Sequence, residues 1–238
     1  ALMHGAHLVE LDGNFDECLR IVRELAEEGF FYVLNSINPY RLEGQKTIAF
    51  EVLEQMNWEI PDRVVLPIGN AGNISAIYKG FREFYQAGII DEMPMMTGVQ
   101  AEGASPLVGA LQKSGPLEPF DSPETKATAI RIGDPVNAPK AREAIGETGG
   151  TATAVTDEQL MDAQVKLAQL EGIGVEPASA TSVAGVKKLL EEGVVDSTET
   201  VACVTTGHLL KDPDAALEAS GDTIKADATT EAVREVLK

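Results

Sequence analysis

Aromatic and basic residues are both scarce in this chain. Only 5% of its 238 residues are Phe, Trp or Tyr, and 19 Lys and Arg stand against 38 Asp and Glu, which gives a formal net charge of −19. Proteins that bind nucleic acid neutralise phosphates with clustered Lys and Arg, so this charge argues against a nucleic-acid surface. The charge favours high solubility and leaves a salt-rich habitat open as its cause.

Long apolar runs and several sequence motifs are missing as well. No stretch approaches the roughly 20 apolar residues of a membrane helix, and no basic-then-apolar segment opens the chain, so we expect a soluble, cytoplasmic protein. Cys18 and Cys203 lie far apart, and the three histidines lack metal-ligand spacing, which predicts neither a disulfide nor a metal site. The absence of GxGxxG, GxxxxGK[ST] and GxSxG leaves dinucleotide binding, Walker-type phosphate binding and esterase chemistry without support.

One stretch, Asp62–Phe81, carries the strongest local signal for a ligand. Its apolar run Val64–Ile68 predicts a buried strand, the loop Gly69-Asn70-Ala71-Gly72-Asn73 follows, and the next residues are helix-periodic. Glycines let the backbone turn tightly and approach a ligand, and the N–H groups and dipole of the following helix attract phosphate. The loop therefore predicts an anion site, although any strand–helix connection in an α/β domain shares part of this pattern.

Strand-like and helix-like segments alternate along the chain. The predicted strands are His7–Leu11, Phe30–Leu34, Val64–Ile68, Met95–Gln100, Thr151–Val155, Val201–Val204 and a short piece near Thr223–Lys225. The predicted helices are Asp16–Glu28, Gly44–Met56, one ending at Gln86, Leu107–Lys113, Pro139–Glu147, one after the capping box Thr156–Gln159, Ala180–Glu192 and Thr230–Leu237. A long loop is predicted over 114–136. Such alternation predicts an α/β fold, with a mostly parallel sheet and helices on both faces.

Further polar residues follow predicted strands or begin a helix. Asn35, Ser36 and Arg41 offer an amide, a hydroxyl and a guanidinium that suit an anion. The Thr206 hydroxyl, at the end of a strand, suits a ring nitrogen, and Glu176 stands just before a helix. Because parallel strands present their carboxyl ends at one edge of a sheet, we expect the strand-end loops to converge there. Taken singly, each group also suits an ordinary turn or a helix start.

Taken together, four segments resemble the threonine synthase family, whose members are pyridoxal-phosphate enzymes of the tryptophan-synthase-β fold type, fold type II. The segments are NSINPYRLEGQKT, VLPIGNAGNISAIYKGF, VEPASATSVAG and CVTTGHLLKDP, in the family's order and spacing. The resemblance covers essentially the whole chain. It implies that 1–35 are the remainder of a small domain and that 36–238 form most of a large cofactor domain.

The roles of individual residues follow from this resemblance. The loop Gly69-Asn70-Ala71-Gly72-Asn73 would hold the cofactor phosphate, and Thr206 would bind the pyridine nitrogen. Asn35, Ser36 and Arg41 would hold the phosphate of the substrate, O-phospho-L-homoserine, with Asn70 shared. Glu176 would lie near the ring without touching it. The implied reaction eliminates phosphate from the γ-carbon and adds water at the β-carbon, giving L-threonine, and relatives of this fold commonly form homodimers.

The sequence departs from the family in two places. Leu209 replaces the glycine of the family's TGHGLKDP. The family's Schiff-base lysine lies in an N-terminal SFKDR-like segment that is absent here, so no catalytic residue is assigned. We therefore expect a C-terminal portion of a threonine synthase, inactive and marginally stable by itself. The absence of the segment is natural or due to truncation, and the helix-like start ALMHGA favours truncation.

Two other functions stay open at this point. One is another fold-type-II lyase, such as a threonine or serine dehydratase, which has no need of Arg41. The other is a non-catalytic relative that binds pyridoxal phosphate or a phosphorylated metabolite without turnover. The absence of a matching lysine superficially favours the second of these.

Overall fold

The computed structural model describes residues 2–35 and 37–237. The strands are β1 (Arg63–Pro67), β2 (Met95–Ala101), β3 (Thr151–Val155) and β4 (Val201–Cys203). The helices are α1 (Phe15–Glu27), α2 (Pro39–Gln45), α3 (Thr47–Gln55), α4 (Gly72–Gln86), α5 (Pro106–Gln112), α6 (Ala138–Glu147), α7 (Asp157–Glu171), α8 (Pro177–Glu191), α9 (Pro213–Ser220) and α10 (Thr230–Val236). Across the described ranges, no helix is both long and apolar enough to cross a membrane.

The four strands form one parallel sheet in the order β3-β2-β1-β4. Val65 of the central strand β1 pairs with Thr97 of β2 and Cys203 of β4. Parallel neighbours require crossover connections, and helices α4 to α8 lie on the segments that join successive strands. The predicted α/β class with a parallel sheet is confirmed.

Alternate residues of β1 supply two apolar cores, one on each face of the sheet. Val64 and Leu66 pack with residues of α3, α4 and α6, whereas Val65 packs with residues of α7 and α8. All three side chains are fully buried. Because successive side chains of a strand point to opposite faces, this division places helices on both faces, as predicted.

Three predicted strands are wrong. They are His7–Leu11, Phe30–Leu34 and Thr223–Lys225, none of which is extended in a sheet. A strand needs a neighbouring strand to pair with its N–H and C=O groups, and none of the four described strands lies beside these segments. Their apolar side chains remain exposed, for example Val9 and Phe30 at 76% and 78%.

One helix prediction also needs correction, and one helix was missed. The predicted helix Gly44–Met56 consists of two helices, α2 and α3, which meet at Lys46. Helix α2 begins five residues earlier than predicted, because Asn38 caps it by accepting from the Tyr40 N–H at 2.9 Å and Pro39 suits its first position. Helix α9 was not predicted. The start of α2 matters for the site because it brings Arg41 onto a helix.

The predicted long loop over 114–136 contains a single 3-10 turn, Thr128–Ile130, among its described residues. The loop is nevertheless fixed to its surroundings. The Glu124 N–H donates to the Gly103 carbonyl at 2.9 Å, and the Gly133 N–H donates to Asp16 Oδ2 at 3.1 Å. These contacts hold the loop across the carboxyl ends of β1 and β2 and beside α1.

Candidate functional site

A cavity of about 570 Å³ opens at the carboxyl ends of β1 and β4. Its walls come from six parts of the chain that are distant in sequence. They include the loop Gly69–Asn73 after β1, Val204–Thr206 after β4, Arg41 and Gln45 of α2, Ile130 and Ile132 of the long loop, and Glu176 with Ala178 at the start of α8. The expectation that polar strand-end loops converge is confirmed for the loops after β1 and β4, which are neighbours in the sheet.

The loop after β1 delivers the amino end of α4 to this cavity. Ala71 caps the helix with φ 60° and ψ 12°, and it provides no side-chain hydrogen bond to the first turn. The N–H groups of that turn are therefore left to a ligand, and the helix dipole favours an anion there. A left-handed alanine costs about 1–2 kcal/mol, so the turn is held in this form by its surroundings.

Gly69 allows close packing of the long loop and does not make the tight turn that was predicted for it. We expected the glycines to make the tight turn, yet the residue of this loop with positive φ is Ala71. A Cβ at Gly69 would lie 3.1 Å from Ile130 Cα and 3.1 Å from Ile132 Cδ1. The missing side chain thus lets the long loop pack against the β1–α4 turn and form one wall of the cavity.

Asn70, in the same loop, has a side-chain donor that makes no hydrogen bond to the described residues. It is 8% exposed, and its Oδ1 accepts from the Val136 N–H at 2.8 Å. Its Nδ2 is buried and has no partner among the described residues. An unsatisfied buried donor costs about 1–3 kcal/mol, which a bound anion would recover. The free helix end and this amide fit a phosphate group.

Thr206 stands opposite the loop, exposed to the cavity and tied to Ser179. Ser179 is fully buried on α8, and its Oγ lies 2.8 Å from Thr206 Oγ1. The N–H groups of Thr206 and Gly207 both donate to Ser179 Oγ, at 2.9 and 2.6 Å. No role for Ser179 was predicted from the sequence. The signal available was its spacing of three from Ser182, since both hydroxyls bond the segment after β4.

Glu176 lies in the cavity wall beside Thr206. It is 4% exposed, its N–H donates to the Gly207 carbonyl at 3.0 Å, and its Oε1 is 3.8 Å from Lys211 Nζ. A Cβ at Gly207 would fall 2.1 Å from Glu176 Oε1, so any other residue there would displace the Glu176 side chain. Lys211 also lines the cavity and was not predicted as a site residue.

Of the three residues predicted to bind the substrate phosphate, the structure places one in the described lining of the cavity. Arg41 lines the cavity, and within the described ranges its side chain forms no hydrogen bond or ion pair. Asn35 is not part of the described lining, and its Oδ1 accepts from the Ile37 N–H at 3.0 Å. Ser36 lies outside the described residues. The structure therefore places Arg41 in the lining of the same cavity as the loop Gly69–Asn73.

Cys203 ends β4 just before the cavity wall, at Val204, and packs against the α7–α8 core. Desolvation raises the pKa of its thiol to about 11, so at neutral pH it is a protonated, poor nucleophile. We assign it to packing. Groups of three or more His, Cys, Asp or Glu that suit a metal ion are absent from the described residues.

Comparisons with known proteins agree with this geometry. The family described as "Pyridoxal-phosphate dependent enzyme" matches residues 1–207. The threonine synthase of Methanocaldococcus jannaschii is 59% identical over 239 residues, and that of Methanosarcina acetivorans is 58% identical over 238 residues. Both alignments cover 100% of this chain and 59% of the relative, so the chain spans about three fifths of the relatives' length.

A solved structure of threonine synthase from Escherichia coli superimposes with a TM-score of 0.73 at 22% sequence identity. The superposition covers 95% of this chain and 52% of that protein. At this identity the likeness concerns the fold, and it confirms the predicted fold type. The resemblance to threonine synthases that four sequence segments carry is likewise confirmed by the two archaeal relatives.

Proposed function

Because this chain belongs to the pyridoxal-phosphate-dependent enzyme family, we propose that it forms the cofactor-binding part of a threonine synthase. The cofactor is pyridoxal phosphate, as predicted. The proposed reaction converts O-phospho-L-homoserine and water to L-threonine and inorganic phosphate. The observation that supports the proposal is the shared cavity, which is lined by Arg41, by the amino end of α4 and by Thr206.

The residues of the cavity suit the parts of the cofactor. The first-turn N–H groups of α4, from Gly72 and Asn73 onward, together with Asn70 Nδ2, would hold its phosphate. The Thr206 hydroxyl would hold the ring nitrogen, with Glu176 behind the ring. When bound, pyridoxal phosphate supplies an electron-withdrawing ring that stabilises negative charge on substrate carbon atoms.

Arg41 would bind the substrate phosphate and keep it bound as it leaves. A guanidinium holds phosphate through two parallel N–H bonds. Among the described residues, no carboxylate forms an ion pair with Arg41. A leaving phosphate gains charge as its ester bond breaks, so the contact strengthens along the reaction. Asn35 and Ser36 remain proposed ligands of this phosphate. Ile130 and Ile132 line the same cavity and would limit the access of water to the reacting atoms.

Activity is best tested in a chimera, since the chain spans 59% of the M. jannaschii relative. This chain would replace the 239 matched residues of that relative, and release of phosphate and threonine from O-phosphohomoserine would be measured. We expect turnover in the chimera and a fall of about 100-fold or more in kcat/KM with Arg41→Ala. Arg23→Ala, an exposed arginine of α1, is the matched control and should change kcat/KM less than twofold.

Other outcomes would point to the other functions. A chimera that deaminates serine or threonine and is indifferent to Arg41→Ala would identify a dehydratase-like lyase. A chimera that binds pyridoxal phosphate and turns over none of these substrates would identify a non-catalytic binder. Either result overturns the proposed reaction while keeping the cofactor site.

We further propose that residues 1–35 belong to a small domain and 36–238 to the cofactor domain, and that the protein is cytoplasmic and homodimeric. The exposed apolar side chains before residue 35, which join neither sheet-face core, support the boundary. Limited proteolysis should cut first near residue 35, and sedimentation equilibrium should return twice the mass of one chain. Cell fractionation tests the location.

A further inference from the structure

Ser179 has more close hydrogen-bonding neighbours than its hydroxyl has bonds to make. Its Oγ receives the N–H of Thr206 at 2.9 Å and the N–H of Gly207 at 2.6 Å. It also lies 2.8 Å from Thr206 Oγ1 and 3.2 Å from the Gly207 carbonyl oxygen. The Ser179 side chain is fully buried, so water does not compete for its Oγ.

The direction of the hydroxyl–hydroxyl bond follows by counting. A serine hydroxyl has two lone pairs and one hydrogen, and the two backbone N–H groups occupy both lone pairs. Ser179 Oγ therefore has no lone pair left to accept from Thr206. The 2.8 Å contact is a hydrogen bond only if Ser179 donates and Thr206 Oγ1 accepts. This contact is also shorter than the alternative to the Gly207 carbonyl.

Because Thr206 Oγ1 accepts in this bond, the hydrogen of its own hydroxyl remains available for donation. It is exposed to the cavity, and Ser179 is the described residue that contacts its Oγ1. We propose that Ser179 is a positioning residue that fixes Thr206 as a hydrogen-bond donor toward an unprotonated ring nitrogen in the cavity. This inference rests on the proposed function, because the nitrogen is that of the cofactor.

The consequence is a preference for ligands that accept a hydrogen bond at this position. A protonated pyridinium nitrogen is a donor and would face another donor hydrogen, whereas a neutral pyridine nitrogen accepts from Thr206. The preference comes from Ser179, since Thr206 with a freely rotating hydroxyl could either donate or accept. Ser179 also anchors the backbone of the loop, because it accepts from the N–H groups of Thr206 and Gly207. Its test must therefore separate the orientation of the Thr206 hydroxyl from this anchoring of the backbone.

The test compares two ligands by isothermal titration calorimetry on the cofactor-free form of the chimera described above, in which this chain and its variants are carried. One is pyridoxal phosphate, and the other is its 1-deaza analogue, in which carbon replaces the ring nitrogen and nothing accepts from Thr206. We expect the wild-type chain to bind pyridoxal phosphate about 10-fold more tightly than the analogue, which is the effect of one hydrogen bond. Thr206→Val removes the donor and should reduce this ratio to about 1–2, and the double variant should reduce it no further. Ser179→Ala leaves the Thr206 hydroxyl free to rotate among its orientations, so that it is no longer held toward the nitrogen, and should reduce the ratio to about 2–3.

Two further variants separate polarity from folding. Ser182→Ala removes a hydroxyl of the same helix that bonds the Val204 carbonyl at 3.1 Å, and it should leave the ratio near 10 even if both affinities fall. Ser179→Thr keeps the hydroxyl and should keep the ratio. Circular dichroism shows whether Ser179→Ala folds. If it does not, the same affinity ratio is measured in Ser179→Cys, whose thiol is a weaker donor, and we expect a ratio near 2–3.

The outcomes distinguish this inference from the proposed function. A ratio that stays near 10 in a folded Ser179→Ala or Ser179→Cys variant, while Thr206→Val loses it, overturns the role of Ser179 and leaves the cofactor site intact. A wild-type chain that binds both ligands equally overturns the donation by Thr206. A wild-type chain that binds neither ligand overturns the cofactor site together with this inference.

Discussion

The guanidinium of Arg63 and the carboxylate of Glu199 form an ion pair with two contacts, Nε to Oε2 at 2.7 Å and Nη2 to Oε1 at 3.2 Å. Arg63 begins β1, and Glu199 lies two residues before β4. The side chains are 4% and 15% exposed, and Arg63 also donates to Thr97 Oγ1 of β2 at 2.9 Å. One arginine thus links the amino ends of three neighbouring strands.

We predict that Glu199→Gln lowers the free energy of unfolding by about 3 kcal/mol, because it leaves a buried guanidinium without its counter-charge. Urea denaturation followed by circular dichroism measures the change. The control is Glu171→Gln at the exposed end of α7, which should alter stability by less than about 0.5 kcal/mol. Equal, small effects of both changes would show that the pair contributes little.

The same pair predicts how stability depends on pH. The hydrogen bond from Arg63 lowers the pKa of Glu199 below its ordinary value of 4.5. A lowered carboxyl pKa gives stability that is present above about pH 4.5 and is lost as the pH falls through the lowered value. The wild-type chain should therefore lose more stability than Glu199→Gln between pH 5 and pH 3. Parallel curves for the two proteins would argue against this linkage.

Gly207→Ala should disrupt the cavity wall. Its Cβ would lie 2.1 Å from Glu176 Oε1 and 3.0 Å from Lys211 Cδ, so the buried Glu176 side chain or the loop after β4 must move. We expect a loss of about 2–3 kcal/mol in stability, in line with overpacking, and at least 10-fold weaker binding of pyridoxal phosphate. Gly146→Ala in α6 is the matched control. Nothing lies within 4 Å of its Cβ, so it should stabilise the chain by about 0.5–1 kcal/mol.

Local signals in the sequence predict those elements whose causes are local. The capping box at Thr156 predicts the start of α7, and both of its hydrogen bonds form, Gln159 N–H to Thr156 Oγ1 at 3.1 Å and Thr156 N–H to Gln159 Oε1 at 2.9 Å. The run Val64–Ile68 predicts a buried strand because both faces of β1 are covered. The pattern of His7–Leu11 is equally strand-like, yet a strand also needs a neighbour, which a local pattern does not specify.

The residues of the site also divide into those that local sequence predicts and those that it does not. The glycine-rich loop and Thr206 could be predicted because each directly follows a strand, and neighbouring strands bring them together. Ser179 could not, because its importance depends on which loop packs against the start of α8, and those partners are 27 and 28 residues away in sequence. The left-handed turn was assigned to glycine from its intrinsic preference, whereas packing around the loop imposes it on Ala71.

Cys203 should resist alkylation in the folded chain. Desolvation raises its pKa from 9.0 to about 11, which lowers the thiolate fraction at pH 8 by about 100-fold. In a Cys18→Ser background, iodoacetamide should label Cys203 at least 100-fold more slowly in buffer than in 8 M urea. Because the folded pKa is the higher one, the stabilising contribution of this thiol is complete below about pH 9 and is lost as the pH rises toward 11. Labelling at the same rate in buffer and urea would contradict the burial of this thiol.

Asn70→Asp tests the anion site with almost no change in shape. The new carboxylate can still accept from the Val136 N–H, but it replaces the unpartnered Nδ2 donor with a negatively charged oxygen. Placed beside a phosphate, that charge should weaken binding of pyridoxal phosphate by about 10–100-fold at pH 7.5, and less so at high salt. Asn57→Asp adds the same charge at an exposed position outside the cavity lining and should change affinity less than twofold. Equal affinities for the two variants, measured by calorimetry, would mean that the cofactor phosphate does not lie beside Asn70 at the start of α4.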